Sequence, residues 1–142
     1  MPEITLILGL CGSGKTYLAE AMKKKNPTIF LMDEGFNLDF DKNYKILIEH
    51  LREGKICIVI EIEFCYRKDL RELLEQRLSH DLAEVKIIWK CFENDIKKAN
   101  QNVSKRKNKG DAKGHRDINS KVSSLYTFPD NAEVLPIVTE WE

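Results

Sequence analysis

The 142-residue sequence has no net charge, no closely spaced cysteines and no long hydrophobic run, and each absence removes a class of function. Its 23 basic side chains are matched by 23 acidic ones, so no overall field draws the molecule to nucleic acid or membrane, and attraction to a polyanion must be local. Cys11, Cys57, Cys65 and Cys91 stand far apart, with no C-x-x-C pair and no histidine at metal-ligand spacing. That spacing predicts reduced thiols and no zinc site, with Cys57 and Cys91 as small apolar residues inside strands. No apolar stretch reaches the length of a bilayer span, and the apolar start carries Glu3 where a secretory leader has basic residues. A cytoplasmic protein without membrane contact is expected. The length predicts one domain over residues 1–142.

What is present begins with Gly9-Leu10-Cys11-Gly12-Ser13-Gly14-Lys15-Thr16, which satisfies the phosphate-loop pattern G-x-x-x-x-G-K-[ST]. The residues before it, Glu3 to Gly9, read as a buried strand, and Leu18, Ala21 and Met22 recur at helical spacing after it, through Lys25. Strand, glycine loop and helix form the context in which backbone N–H groups and a helix N-terminus converge on an anion. The expected guest is an anion of triphosphate size, cradled by Gly9, Cys11, Gly12, Ser13, Gly14, Lys15, Thr16 and Tyr17. Lys15 would supply charge to the β and γ phosphates, and the Thr16 hydroxyl would be a ligand for Mg²⁺.

Downstream the apolar pattern alternates between strand and helix. Asn26-Pro27 stops the first helix, and Thr28 to Met32 predicts a second strand ending at Asp33-Glu34-Gly35. Tyr44, Leu47, Ile48 and Leu51 predict a helix stopped by Gly54, before a strand Lys55 to Ile60 that runs into Glu61-Ile62-Glu63. A helix over about 67–78 with Leu70, Leu73 and Leu74 on one face precedes a strand Val85 to Trp89, and Asn94 is expected to cap a helix lined by Ile96, Ala99 and Val103. Residues 105–117 are strongly basic and predict a flap, with Ile118, Val122 and Leu125 on a short returning helix. The last strand is expected over Glu133 to Val138, at a sheet edge because of Pro136. The fold class is therefore α/β, a three-layer sandwich around a five-stranded parallel sheet, with ligands outside the strands' carboxyl ends.

With the loop, the two acidic strand ends and the basic flap placed, the chain resembles the small P-loop kinases, in particular the kinase-like ATP-binding group related to phage polynucleotide kinase. The weaker elements of the resemblance are Met32-Asp33-Glu34, Val59 to Cys65, and Phe92 to Arg106. The resemblance implies a sheet of the nucleoside-kinase type and transfer of the γ-phosphate of ATP to a hydroxyl of a small molecule or a nucleic acid end. It implies Asp33 as the base that takes the acceptor's proton, since the reaction needs one carboxylate beside the attacking oxygen. Glu61, where relatives more often have Asp, would hold Mg²⁺ through its waters, with Glu63 as the alternative. Arg106 and Arg116 of the lid segment would neutralise the transferring phosphoryl group, the planar guanidinium fork suiting phosphate better than lysine. Arg67 and Arg71, just beyond the third strand, are expected to be surface helix residues, with contact to an acceptor phosphate as the alternative.

Two further readings stay open: a nucleotide-dependent ATPase or switch without an acceptor, and a nucleic-acid module using the lysine-rich flap. The charge balance and the lack of an aromatic-rich stretch speak against the latter. Asn108-Lys109-Gly110-Asp111 and Asp111 to Gly114 match the guanine-reading N-K-x-D and the D-x-x-G of GTPases, but overlapping and in reversed order, which favours ATP. The acceptor pocket is expected around Phe36 to Tyr44 and Tyr66 to Arg71, without a substrate signature.

Overall fold

Five short apolar segments pair in parallel in the order β2-β3-β1-β4-β5 in the computed structural model, which describes residues 2–105 and 112–139. Strand β1 (Glu3–Leu8) lies at the centre, hydrogen-bonded to β3 (Cys57–Ile60) on one side and β4 (Lys86–Phe92) on the other. Strand β3 is buried along its whole length, which explains its unbroken apolar sequence, since a parallel strand covered on both faces has no polar side to show. The edges are β2 (Phe30–Asp33) and β5 (Glu133–Leu135). This is the all-parallel α/β sheet predicted from the sequence.

Helix α1 (Lys15–Lys25) packs on β1, β2 and β3, and α2 (Phe40–Arg52) covers β3. The chain moves one way across the sheet through α1 and the other way through α2 and α3 (Lys68–Asp81), so right-handed crossovers put α1 on the face opposite the other two. The Tyr44 hydroxyl donates to Asp81 Oδ2 at 2.6 Å and Arg77 Nη1 to Asp41 Oδ1 at 2.7 Å, which ties α2 to α3. The buried stripe of α2 is Tyr44, Leu47, Ile48 and Leu51, as its spacing predicts. Burial pushes the Cys57 and Cys91 thiols up to about 12, so both act as small apolar core residues. No helix among the described residues is long and apolar enough to cross a membrane.

The departures from the sequence reading have local causes. Strand β2 starts at Phe30 because Asn26 Oδ1 accepts from the amide and hydroxyl of Thr28, holding the chain in a turn. Strand β4 continues to Phe92, with Lys90 Nζ donating to Glu133 Oε2 at 2.6 Å across the edge pairing. Asp95, not Asn94, caps α4 (Ile96–Lys105), its Oδ1 accepting from Lys98 N, whereas Asn94 joins Ser123. In α3 the buried residues are Arg71, Leu74 and Leu78, and Leu73 is 38% exposed. Within the segment expected as a flap, Ala112 already begins α5 (Ala112–Leu125), so Lys113, Gly114, His115 and Arg116 are helical. Arg106 and the sequence from Asn108 to Asp111 lie outside the described residues.

Candidate functional site

The glycine loop leaves the carboxyl end of the central strand and enters α1 at Lys15. Gly12 and Gly14 take φ of 88° and 109°, the left-handed region that side chains rarely adopt. A Cβ at Gly12 would also run into the carbonyl oxygen of Ala99 and into Val103 of α4, so this position is fixed as glycine by space as well as by dihedral. The loop lines a cavity of about 430 Å³ together with Lys15, Thr16, Tyr17, Glu34, Ile62 and His115. The Ser13 hydroxyl oxygen is buried beneath the loop, against Gly9, without a hydrogen-bond partner. A glycine cradle and a lysine fit a polyphosphate. Thr16 and Tyr17 lie exposed at the start of α1.

Lys15 is 7% exposed, and its ammonium donates to the Gly9 carbonyl at 2.6 Å and to the Leu10 carbonyl at 3.3 Å. It also lies 3.4 Å from Glu34 Oε1. Glu34 takes φ 55°, and its other oxygen accepts from Ile62 N at 3.2 Å. The residue before it, Asp33, is exposed at the end of β2; its carboxyl is raised above 3.8 by partial burial and by Glu34, against the lowering effect of Lys15. Asp33, Glu34 and Lys15 therefore share one electrostatic environment.

Glu61, at the end of β3, is 3% exposed. Its two oxygens accept from Asn37 N at 3.0 Å and Glu63 N at 3.2 Å, and so start the 3-10 turns Phe36–Asp39 and Ile62–Cys65. Burial raises its carboxyl above 4.5, against the two backbone N–H groups that favour the charged form. Among the described residues no group of three or more His, Cys, Asp or Glu side chains could hold a metal. Thr16 lines the cavity, whereas both oxygens of Glu61 already accept from backbone N–H groups.

The loop is held from behind by asparagines of α4 and α5. Asn119, fully buried, accepts from Cys11 N at 2.7 Å, and its Nδ2 donates to Cys11 O at 2.8 Å and to Asn100 Oδ1 at 3.0 Å. Asn102 Nδ2 donates to the carbonyls of Gly12 and Val138 at 2.9 and 2.8 Å. These residues were not singled out from the sequence, and no local pattern marks them, because Asn119 and Cys11 are 108 positions apart. Glu34 was legible only as half of an acidic pair at a strand end.

The arginines fall differently. Arg71, expected at the surface, is 4% exposed; its guanidinium donates to Phe64 O at 2.7 Å and to the carbonyl and hydroxyl of Thr127 at 2.9 and 3.0 Å. It joins α3 to the chain after α5 and so is structural. Arg67 pairs with Asp69 in solvent. Arg116 Nη1 reaches toward Ser104 Oγ of α4 at 3.4 Å.

No family model matches the sequence, and no curated protein matches it. Among solved structures the fold is similar to a gluconokinase from Sinorhizobium meliloti 1021, with a TM-score of 0.63 at 12% identity, over 96% of this chain and 83% of that one. The two chains share a fold, here an all-parallel five-stranded α/β sheet with the glycine loop at the end of the central strand.

Proposed function

We propose that the protein is an ATP-dependent phosphotransferase that moves the γ-phosphate to a hydroxyl of a small molecule or a nucleic acid end. The observation that carries the proposal is the contact of the buried loop lysine, Lys15, with Glu34 at 3.4 Å, the residue after Asp33 at the end of β2, among the strand ends where α/β folds bind ligands. Gly9, Cys11, Gly12, Ser13, Gly14 and Tyr17 form the cradle, in which the phosphates meet loop N–H groups other than those of Cys11 and Ser13, which Asn119 and the Leu10 carbonyl hold. Lys15 exchanges its contacts with the Gly9 and Leu10 carbonyls for phosphate oxygens. Asp33 accepts the acceptor's hydroxyl proton as the oxygen attacks phosphorus, and the leaving ADP carries away the displaced charge. Magnesium, when bound, would neutralise charge between the β and γ phosphates; Thr16 would bind it directly, and Glu61, or Glu63 in its place, through water. Arg106 and Arg116 are proposed as lid charges, a role for which Arg116 must release Ser104.

A switch or ATPase without an acceptor is the second reading, favoured by the Lys15–Glu34 pair, which nucleotide must break. Titration with ATP and Mg²⁺ tests what both readings share. Wild-type binding that Lys15→Ala weakens at least tenfold supports the site, and equal binding by the two proteins removes the loop from it. Phosphoryl transfer that Asp33→Asn abolishes separates the kinase from the switch.

A further inference from the structure

We propose that His115 is a nucleotide-contacting side chain, donating a ring N–H to phosphate oxygens held by the glycine loop; this rests on reading that loop as a nucleotide site. His115 belongs to the first turn of α5, and its half-buried side chain lines the same cavity of about 430 Å³ as Gly12 to Tyr17 and Glu34.

The rotational setting of α5 explains why it is this residue. Asn119 pins the helix to the loop through its paired hydrogen bonds with the Cys11 backbone and through Asn100. Residues four apart share a helix face, so the residue one turn before Asn119 on the loop side is His115. Arg116, rotated onward by one position, is directed at Ser104 of α4, and Lys113 is exposed. Of these basic residues at the start of α5, His115 is the one that lines the cavity. An imidazole carries at least one N–H in either protonation state, so it can donate to a phosphate across the physiological range. Its reach is short and its ring rigid, so little side-chain entropy is lost on contact.

The test is calorimetric titration of wild type, His115→Ala, His115→Gln and Lys121→Ala with MgATP and, separately, with inorganic tripolyphosphate. A hydrogen bond to a charged oxygen predicts a loss of about tenfold for His115→Ala with both ligands. His115→Gln, which keeps an N–H donor, should stay within about threefold, and Lys121→Ala, exposed at the far end of α5, should match wild type. The urea midpoints of all four unliganded proteins should agree.

If wild type binds ATP and His115→Ala binds it within twofold, the proposal is overturned and the loop reading stands. Loss with ATP but not with tripolyphosphate would move His115 from the phosphates to the nucleoside and also overturn it. A lowered urea midpoint in both His115 variants, with equal loss of binding, would make the residue a packing element. No binding of either ligand by wild type would take down the loop reading and this inference together.

Discussion

The Lys15 ammonium sits 3.4 Å from Glu34 Oε1 while donating to the Gly9 and Leu10 carbonyls, so the loop lysine is engaged by its own chain. Phosphate must compete with a carboxylate for this lysine, and the Glu34 side chain, 42% exposed, is free enough to yield. An ion pair of this exposure is worth about 0.5–1 kcal/mol after solvent screening. Glu34→Gln should therefore tighten ATP binding by a few-fold. Calorimetric affinity that is unchanged or weaker in the variant would show that Glu34 does not oppose the nucleotide.

Asp33 is raised above 3.8, chiefly by partial burial and then by Glu34. A base works deprotonated, so transfer should rise with pH along a limb displaced above the ordinary carboxylate value. Removing the Glu34 charge should move that limb toward lower pH. Asp33→Asn should reduce transfer by about two orders of magnitude or more while ATP affinity stays within a few-fold. A pH–rate profile of wild type and Glu34→Gln checks the sign, and an unshifted limb would take the proton acceptor elsewhere.

Asn119 makes three hydrogen bonds from a fully buried position and links α5, α4 and the loop. Asn119→Leu keeps the branched shape but strands the Cys11 amide and carbonyl, and should cost about 2–3 kcal/mol by urea unfolding. The same variant should weaken ATP binding, because the loop loses its support. A cost below about 0.5 kcal/mol would mean that water replaces the asparagine without penalty.

Glu61 is buried with its carboxyl raised above 4.5. The folded state thus holds the proton more tightly than the unfolded chain, so this stability is fully present below pH 4.5 and is lost as pH rises through the raised value. Glu61→Gln lacks that dependence. Relative to wild type, the variant should be more stable near neutral pH than it is below pH 4.5. Paired urea titrations at the two conditions read the difference, and a gap of the opposite sign would mean that hydrogen bonding outweighs burial.

The sequence was most legible where the chemistry is local. The phosphate loop, the strand before it and the helix after it are contiguous, and α2 buries the four residues that its periodicity marks. Arg71 was misread because its partners, Phe64 and Thr127, become neighbours only when α3 and the chain after α5 meet. In α5 the spacing picked out Ile118, Val122 and Leu125, of which Val122 is buried while Ile118 and Leu125 are 43% and 50% exposed, and the fully buried Asn119 went unmarked. A polar residue enters a core when a distant backbone satisfies it, and no periodicity reports that. The basic composition of residues 105–117 hid the start of α5 for the same reason: its helical state comes from packing against α4 and the loop.

The most direct test of the phosphotransferase reading is transfer of labelled γ-phosphate from MgATP into a panel of nucleosides, oligonucleotides with free 5′ hydroxyls, sugars, sugar acids and amino sugars, with wild type and Asp33→Asn side by side. The account predicts label in a hydroxyl-bearing acceptor with wild type and its loss in the variant. Free phosphate alone, released at the same rate by both proteins, would contradict it.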